Sequence, residues 1–454
     1  MTGWLTALLR RARAPARLAP WPRLEAFGPR PDGGVLVGGA LRDALLGLSP
    51  LDTDWIVPDP RRAARELAAR TGGHAFALDA TRGHWRVHAG ARTLDVVAPQ
   101  GTLEADLRQR DFTMNAMALR DDGPVDPLDG RRDLARRTLR ATSPRALRAD
   151  PLRGLRGVRL AATHALSWDS ATRRSAASVA AELAEGALPL PAAERRRDEL
   201  ALILASVRAG DALAEAHALG WLALLLPELI TGDGVAQGGF HHLDVLRHQL
   251  EALQRLVTAF PEADRALRLG TVLHDVGKPA CRDRGPDGRL RFYGHAGEGA
   301  AIARRALTRL RFDGATVQRA AALVHRHMLP LPRNDVEARR FVHRRRELLP
   351  DLMKLMIADR EAARGRLSSE GTRRAYRLAL ARIVAILEEA PPPEPLLRGE
   401  DVMACLGLAP GPRVGEALAF LHEAQAVGDV TTPEEARAAL RRFAAAQNWD
   451  EVEA

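Results

Sequence analysis

The sequence predicts an α+β protein: a small mixed sheet with helices at the front of the chain, followed by an almost wholly helical remainder. Between about Gly33 and Ala118, short β-rich runs (VLVGG, DWIV, TLDVVA, FTMNAMAL) are punctuated by glycine. From about Leu134 onward apolar residues recur at helical spacing through RGLRGVRLAATHAL, RRDELALILASV and GDALAEAHALGWLALLLPEL. The length of 454 residues exceeds one ordinary core, so several domains are expected.

Composition excludes two classes and favours a third. Hydrophobic content of 46% and a charged fraction of 27% spread along the chain exclude global disorder. Only Cys281 and Cys405 are present, without paired spacing, so neither a disulfide framework nor a thiolate zinc site is indicated and a reducing, cytoplasmic setting fits. The net charge of +10 suits a polyanionic partner, nucleic acid before an anionic membrane surface. No stretch is long and apolar enough for a membrane span, and no obligate protein partner is evident. All but two of the 67 basic residues are arginine, which matches a GC-rich, alanine-rich chain as well as a functional demand. The ten arginines between Arg131 and Arg159 are nevertheless the best candidate for a phosphate- or base-facing surface. Residues 1–28, basic and amphipathic but with too short an apolar run for a signal peptide, read as an N-terminal extension.

Taken in order, VLVGGALRDALLG is a strand running through Gly38-Gly39 into a helix that carries Arg42. Such a turn lets backbone approach a phosphate closely, although most turns of this kind only close a connection. Next comes Asp52-Thr53-Asp54-Trp55-Ile56-Val57. Residues two apart on a strand face the same way, so Asp52 and Asp54 present two carboxylates together, and a hard cation such as Mg2+ relieves their repulsion. Asp95 in TLDVVA is a candidate third carboxylate from a neighbouring strand. In RADPLRGLRGVRL, Asp150 and Arg153 stand three apart and are expected to share a helix face, where an acceptor and a forked donor could read a base edge.

The order GGALRD, DTDW, QRDFTMNAMA, DPLDGRRDL resembles the bacterial tRNA CCA-adding nucleotidyltransferase and poly(A) polymerase family. The resemblance implies a polymerase-β-like head in which Asp52 and Asp54 hold Mg2+ and are catalytic, with Gly38, Gly39 and Arg42 against the triphosphate. It implies ribose recognition by Arg110 and Asp111, with Asn115 beside them; Gln109 stands where the family has a first arginine. Asp150 and Arg153 match the motif that selects CTP and then ATP, and the preceding acidic residue of the family is Ala149 here. Glu194, Arg195 and Glu199 match a later neck motif, read as support for the base pocket.

A second constellation follows: His248, the pair His274-Asp275 and Asp359, with His295 and His327 as candidates for a second metal and His325 as a rival to His327. Imidazole and carboxylate suit a transition metal. The set resembles an HD phosphohydrolase domain, whose activity would be directed at damaged tRNA ends; a metal kept for stability is the alternative. The expected organisation is an extension over 1–28, a head over 29–145, a helical neck over 146–232, an HD body over 233–375 and a helical tail over 376–454, the last set off by PPPEP at 391–395.

The expected function is template-independent addition of C, C and A to the 3′ acceptor end of tRNA from CTP and ATP, with pyrophosphate released. Only VVAPQGTLEADLRQ separates Asp95 from Arg110, a short stretch that keeps a CC-only enzyme open as an alternative. Poly(A) polymerase, or an HD hydrolase with an RNA-binding head, are the others.

Overall fold

The computed structural model describes residues 17–239, 241–365, 367, 369–389 and 394–449. Most of the N-terminal extension and the first three prolines of the PPPEP segment lie outside the described residues. The chain divides into two compact units, one of residues 1–231 with 305–314, the other of residues 232–304 with 315–454.

The first unit is built on a seven-stranded mixed sheet: β1 (Val35–Val37), β2 (Asp52–Ile56), β3 (His74–Asp79), β4 (His84–Ala89), β5 (Arg92–Val97), β6 (Ala118–Arg120) and β7 (Gly123–Val125), in the order β3-β4-β5-β2-β1-β6-β7. Strands β2 and β5 pair in parallel, with Asp54 opposite Asp95; the other neighbours are antiparallel. Helix α1 (Gly39–Leu45) follows β1 directly. Helix α2 (Pro60–Thr71) starts where the Asp59 carboxylate accepts the Arg62 N–H and stops at left-handed Gly72. It lays Ala64 and Leu67 on the face of β3–β5 that carries Val87, Leu94 and Val96, all buried. The opposite face keeps Asp52, Asp54, Asp95 and Arg86 in contact with solvent, so period-two alternation sorts chemistry from core.

Two sequence expectations need correction here. FTMNAMAL forms a strand only at its end: Thr113–Asn115 is a 3₁₀ turn, because the Asp111 carboxylate accepts the Phe112 N–H at 2.7 Å and the Thr113 hydroxyl donates to Asp133 at 2.8 Å. The hairpin of β3 and β4 was not expected, since HAFALD and HWRVHA lack a clean apolar alternation.

Helices α3 (Leu103–Gln109), α4 (Gly130–Ala135), α5 (Ala146–Ala149), α6 (Leu152–Thr163), α7 (Ser170–Ala184), α8 (Ala193–Ala205), α9 (Ala209–Ala218), α10 (Trp221–Leu225) and α11 (Pro227–Ile230) complete this unit. Leu155, Val158, Leu200, Ile203, Leu213 and Leu222 bury the inward stripe of its helices.

The second unit contains α12 (Val245–Ala259), α13 (Arg265–Leu273), α14 (His295–Arg309, whose last turn belongs to the first unit), α15 (Gly314–Arg326), α16 (Asp335–Arg345), α17 (Leu349–Ala362) and α18 (Glu370–Glu388). Its last helices, α19 (Gly399–Leu406), α20 (Pro412–Val427) and α21 (Pro433–Ala446), close their own core of Val402, Ala417, Leu421, Ala436 and Leu440. Thr432 and Glu435 form a capping box at the start of α21. Among the described residues no helix is long and apolar enough to cross a membrane.

Candidate active site and metal centre

In β2 the buried side chains Thr53 and Trp55 alternate with Asp52 and Asp54, and the indole N–H donates to the Thr53 hydroxyl at 2.9 Å. The two carboxylates therefore stand on the solvent face together. Burial raises the pKa of Asp54; Arg110 pulls against it, and Asp95 adds to the rise. A divalent cation would replace that strained balance, and an all-carboxylate donor set fits a hard one.

Gly38 ends β1 with φ 83° and ψ −145°, a conformation open essentially to glycine alone. A methyl group there would stand 3.0 Å from both Asp54 Oδ2 and Arg110 Nη1, so the missing side chain makes room at the carboxylate itself. The Gly38 N–H is spent on the Met117 carbonyl at 3.3 Å, so close approach, not a free donor, is what this residue supplies.

Beside it opens a polar cavity of about 370 Å³ lined by Gly38, Gly39, Arg42, Asp54, Arg110, Asp111, Asn115, Arg153, Arg156, Arg159, Leu160 and Glu199. A continuous hydrogen-bond chain fixes its wall. Arg42 donates to Asp43 at 2.8 and 2.9 Å and to Asn115 Oδ1 at 2.7 Å; Asn115 donates to Asp111 at 3.1 Å. Arg156 donates to Asp111 and to Glu199, each at 3.2 Å, and Arg159 to the second Glu199 oxygen at 2.8 Å. Burial alone would raise Asp111, but Arg156, Asn115 and the Phe112 N–H hold it below the usual carboxylate range. Arg110 is steadied by Asp106 of α3, 3.2 Å away.

Eight of the residues named from sequence thus meet at one cavity with Asp54: Gly38, Gly39, Arg42, Arg110, Asp111, Asn115, Arg153 and Glu199. Asp52 is exposed next to them on β2. Asp95 lies beside Asp54 on the adjoining strand, but Arg86 holds both of its oxygens, at 2.7 and 2.8 Å. Asp150 departs from expectation. It does not share a helix face with Arg153, because Pro151 disfavours the helical conformation in the residue before it; Asp150 is extended (φ −137°, ψ 100°) and pairs with Arg195 at 2.9 Å. Arg153 instead donates to the carbonyls of Arg110 and Ala146. Arg156 and Arg159, which in the sequence are two of a run of arginines, join the wall through Glu199, 43 and 40 positions away. Glu194 is exposed, 3.9 Å from Arg311.

The second unit gathers the other constellation. His248, His274 and Asp359 form one triad of donor atoms, and Asp275, His295 and His327 form another. Asp275 reaches both: its Oδ2 lies 3.2 Å from His274 Nε2 and 3.6 Å from His248 Nε2, and its Oδ1 lies 3.5 Å from His295 Nε2 and 3.4 Å from His327 Nε2. His274, His295 and His327 hold backbone carbonyls of Thr271, Phe292 and Val324 through Nδ1 at 2.6–2.7 Å, which places the proton on Nδ1 and turns the Nε2 lone pair inward. The Nε2 lone pairs of His295 and His327 face each other across 3.4 Å and call for a cation between them, and the His274 Nε2 lies 3.3 Å from His248 Nε2. Burial works against charge on His274, yet Asp275 and Asp359 push it up to about 10, the same demand for positive charge. Among the described residues, the buried Asp275 Oδ1 has no hydrogen-bond donor. The donors therefore fit a divalent metal with imidazole and carboxylate preference. His325 is exposed and outside the cluster; its neighbour His327 is buried within it.

Packing makes this centre possible. At Gly277 a methyl group would meet the His295 carbonyl at 2.3 Å, so glycine brings the start of α14 onto the His274-Asp275 turn. Lys278 spans Asp275 Oδ2 and Gln237, both at 2.6 Å, and the His241 ring sits edge-on 4.4 Å from His248. His241, Gln237 and Lys278 were not singled out from sequence; only their closeness to HLDVLRH and HDVGK hinted at a role.

A model of the Poly A polymerase head domain matches residues 35–140, and one of the HD domain matches residues 243–364. The A-adding tRNA nucleotidyltransferase of Deinococcus radiodurans is 55% identical over 93% of this chain and 98% of its own length. The chain belongs to the tRNA nucleotidyltransferase family. Another relative, the CC-adding tRNA nucleotidyltransferase of Thermus thermophilus, is 47% identical over 89% of this chain and 92% of its own. The fold is that of the Bacillus stearothermophilus CCA-adding enzyme solved in complex with CTP, with a TM-score of 0.63 at 22% identity, covering 92% of this chain and 94% of that one.

For a tRNA nucleotidyltransferase with this geometry, Gly38→Ala is expected to lower nucleotide incorporation by about a hundredfold, the scale of a small misplacement at a reacting centre. The backbone strain of about 1–3 kcal/mol should cost only a few degrees of melting temperature. Steady-state incorporation beside a thermal melt separates the two.

Proposed function

We propose that this enzyme builds only part of the CCA end: nucleotidyl transfer to the tRNA 3′-hydroxyl, restricted to addition of the terminal A. The carrying observation for transfer is Asp54 lining the cavity of Gly38, Arg42, Arg110 and Asp111, with Asp52 beside it on the same face of β2. In the reaction the tRNA 3′-hydroxyl loses its proton to solvent, its oxygen forms a bond to the α-phosphorus, the α–β phosphoanhydride bond breaks, and pyrophosphate leaves. Asp52 and Asp54 would hold Mg2+, which when bound polarises the phosphate and favours the attacking alkoxide. Arg42 and Arg110 face the departing phosphates, Asp111 and Asn115 the ribose, and Arg153, Arg156 and Arg159 supply forked donors for the base. Asp150 would have to exchange Arg195 for the base to act as an acceptor.

Partial addition is supported by the short segment between Asp95 and Arg110 and by two relatives that are each partial enzymes. The higher identity of the A-adding relative favours A over the CC-only alternative, a choice outside those weighed from sequence. The test uses tRNAs ending at the discriminator base, at C and at CC, with CTP and ATP given separately and together, resolved to one nucleotide. Terminal A on the CC-ended tRNA alone is the expected result. Two C residues on the discriminator-ended tRNA would assign CC addition, three nucleotides would assign the full CCA activity, and no extension of any would overturn nucleotidyl transfer.

A second reading concerns the HD centre, where Asp275 shared between two triads supports a metal-dependent phosphoester hydrolase acting on tRNA ends. His248, His274, Asp275 and Asp359 would hold one divalent transition metal, and His295 and His327, with the other Asp275 oxygen, a second.

A further inference from the structure

Among the described residues, the sheet that carries Asp52 and Asp54 has an uncovered face that continues well beyond them. Because β2, β5, β4 and β3 are in register, two rows of cross-strand partners run across it. One is Asp54–Asp95–Arg86–Phe76, and the other Asp52–Thr93–His88–His74. Helix α2 covers the reverse face. On the uncovered side Phe76 is 41% exposed, His74 and His88 are exposed, and the Phe76 and His88 rings lie 5.4 Å apart. An exposed phenylalanine beside a guanidinium and imidazoles is good chemistry for unpaired bases and phosphates.

Direction decides what could lie there. The nucleotide cavity is on the β1 side of Asp54, at Gly38, Arg42 and Arg110. In-line displacement puts the attacking oxygen opposite the leaving pyrophosphate, hence on the β5 side. The strand bearing that hydroxyl must then leave over β5, β4 and β3. From β2 to β3 is three strand spacings, about 14 Å, which about four stacked nucleotides or fewer extended ones would span.

Resting on the transferase reading, we infer that the β3–β4 hairpin is the platform for the single-stranded 3′ end of the acceptor RNA. Phe76 stacks on an unpaired base upstream of the reacting nucleotide, and His88 and Arg86 donate to its phosphates. Arg86 also neutralises Asp95, so the RNA backbone meets a cation there and not a third carboxylate.

The experiment compares wild type, Phe76→Ala and Phe76→Trp, with KM measured separately for tRNA and for the nucleoside triphosphate. Phe76→Ala should raise the tRNA KM about tenfold, leave the nucleotide KM within about twofold, and be rescued by Phe76→Trp. Circular dichroism checks that this surface substitution leaves the fold intact. In parallel, a photoreactive base at the penultimate position of the tRNA should cross-link to the peptide spanning residues 74–89. An unchanged tRNA KM in Phe76→Ala, or cross-links confined to residues 146–205, would overturn the platform while leaving the transferase reading in place. A wild type that extends no tRNA would remove both.

Discussion

Asp54→Asn is expected to lower nucleotide incorporation by about a thousandfold or more. The substitution keeps the volume of the side chain and removes the charge that, with Asp52, would hold a divalent ion; such an ion contributes several kcal/mol of transition-state stabilisation, and each 1.4 kcal/mol is a tenfold change in rate. The cavity wall does not depend on Asp54, because the chain from Arg42 through Asn115, Asp111 and Arg156 to Glu199 closes without it. Binding of tRNA and the metal content of the HD centre should therefore stay at wild-type values, and single-turnover incorporation should carry the whole effect. Turnover within tenfold of wild type would remove Asp54 from the chemistry.

Asp275→Ala is expected to empty both halves of the HD centre at once. Asp275 serves both triads: Oδ2 faces His248 and His274, Oδ1 faces His295 and His327. The same change leaves the buried Lys278 ammonium with Gln237 alone, and an uncompensated buried charge costs about 3–5 kcal/mol. A melting temperature lower by about 10 °C follows for this unit. Asp275→Asn retains an acceptor for Lys278 and should lose metal with a smaller thermal penalty. Metal content by elemental analysis, set beside the melt, distinguishes ligand loss from unfolding; full metal content in Asp275→Asn would mean that Asp275 does not bridge. Nucleotide incorporation, measured below the melt, should change by less than about twofold in Asp275→Asn.

What could be read from the sequence was local. The alternation of Asp52 and Asp54 with Thr53 and Trp55 needs only the two-residue period of a strand, and the glycine turn needs only its place after an apolar run. The helical remainder followed from periodicity. Long-range pairing was not legible: Glu199 joins Arg156 and Arg159 across 43 and 40 positions, and nothing in ERRRDEL distinguishes it from Glu194, which stays exposed. Local steric rules also defeated a spacing argument at Asp150, where Pro151 makes three residues of separation something other than a helical face. The hairpin of β3 and β4 was missed because its open face carries Phe76, Arg86 and His88 in place of a simple polar pattern. The HD histidines were gathered from family order; that Asp275 stands between the two triads is a fact of three dimensions, set by the close approach at Gly277.

The most direct measurement is a structure of the enzyme with a CC-ended tRNA, ATP and Mn2+ in place of Mg2+, with the ion located by its anomalous signal. The expected result is Mn2+ between the Asp52 and Asp54 carboxylates, the triphosphate against Gly38, Arg42 and Arg110, and the tRNA 3′-hydroxyl on the β5 side of the α-phosphorus. Nucleotide bound with no metal at these two carboxylates, or metal and nucleotide together only at the HD centre, would contradict it.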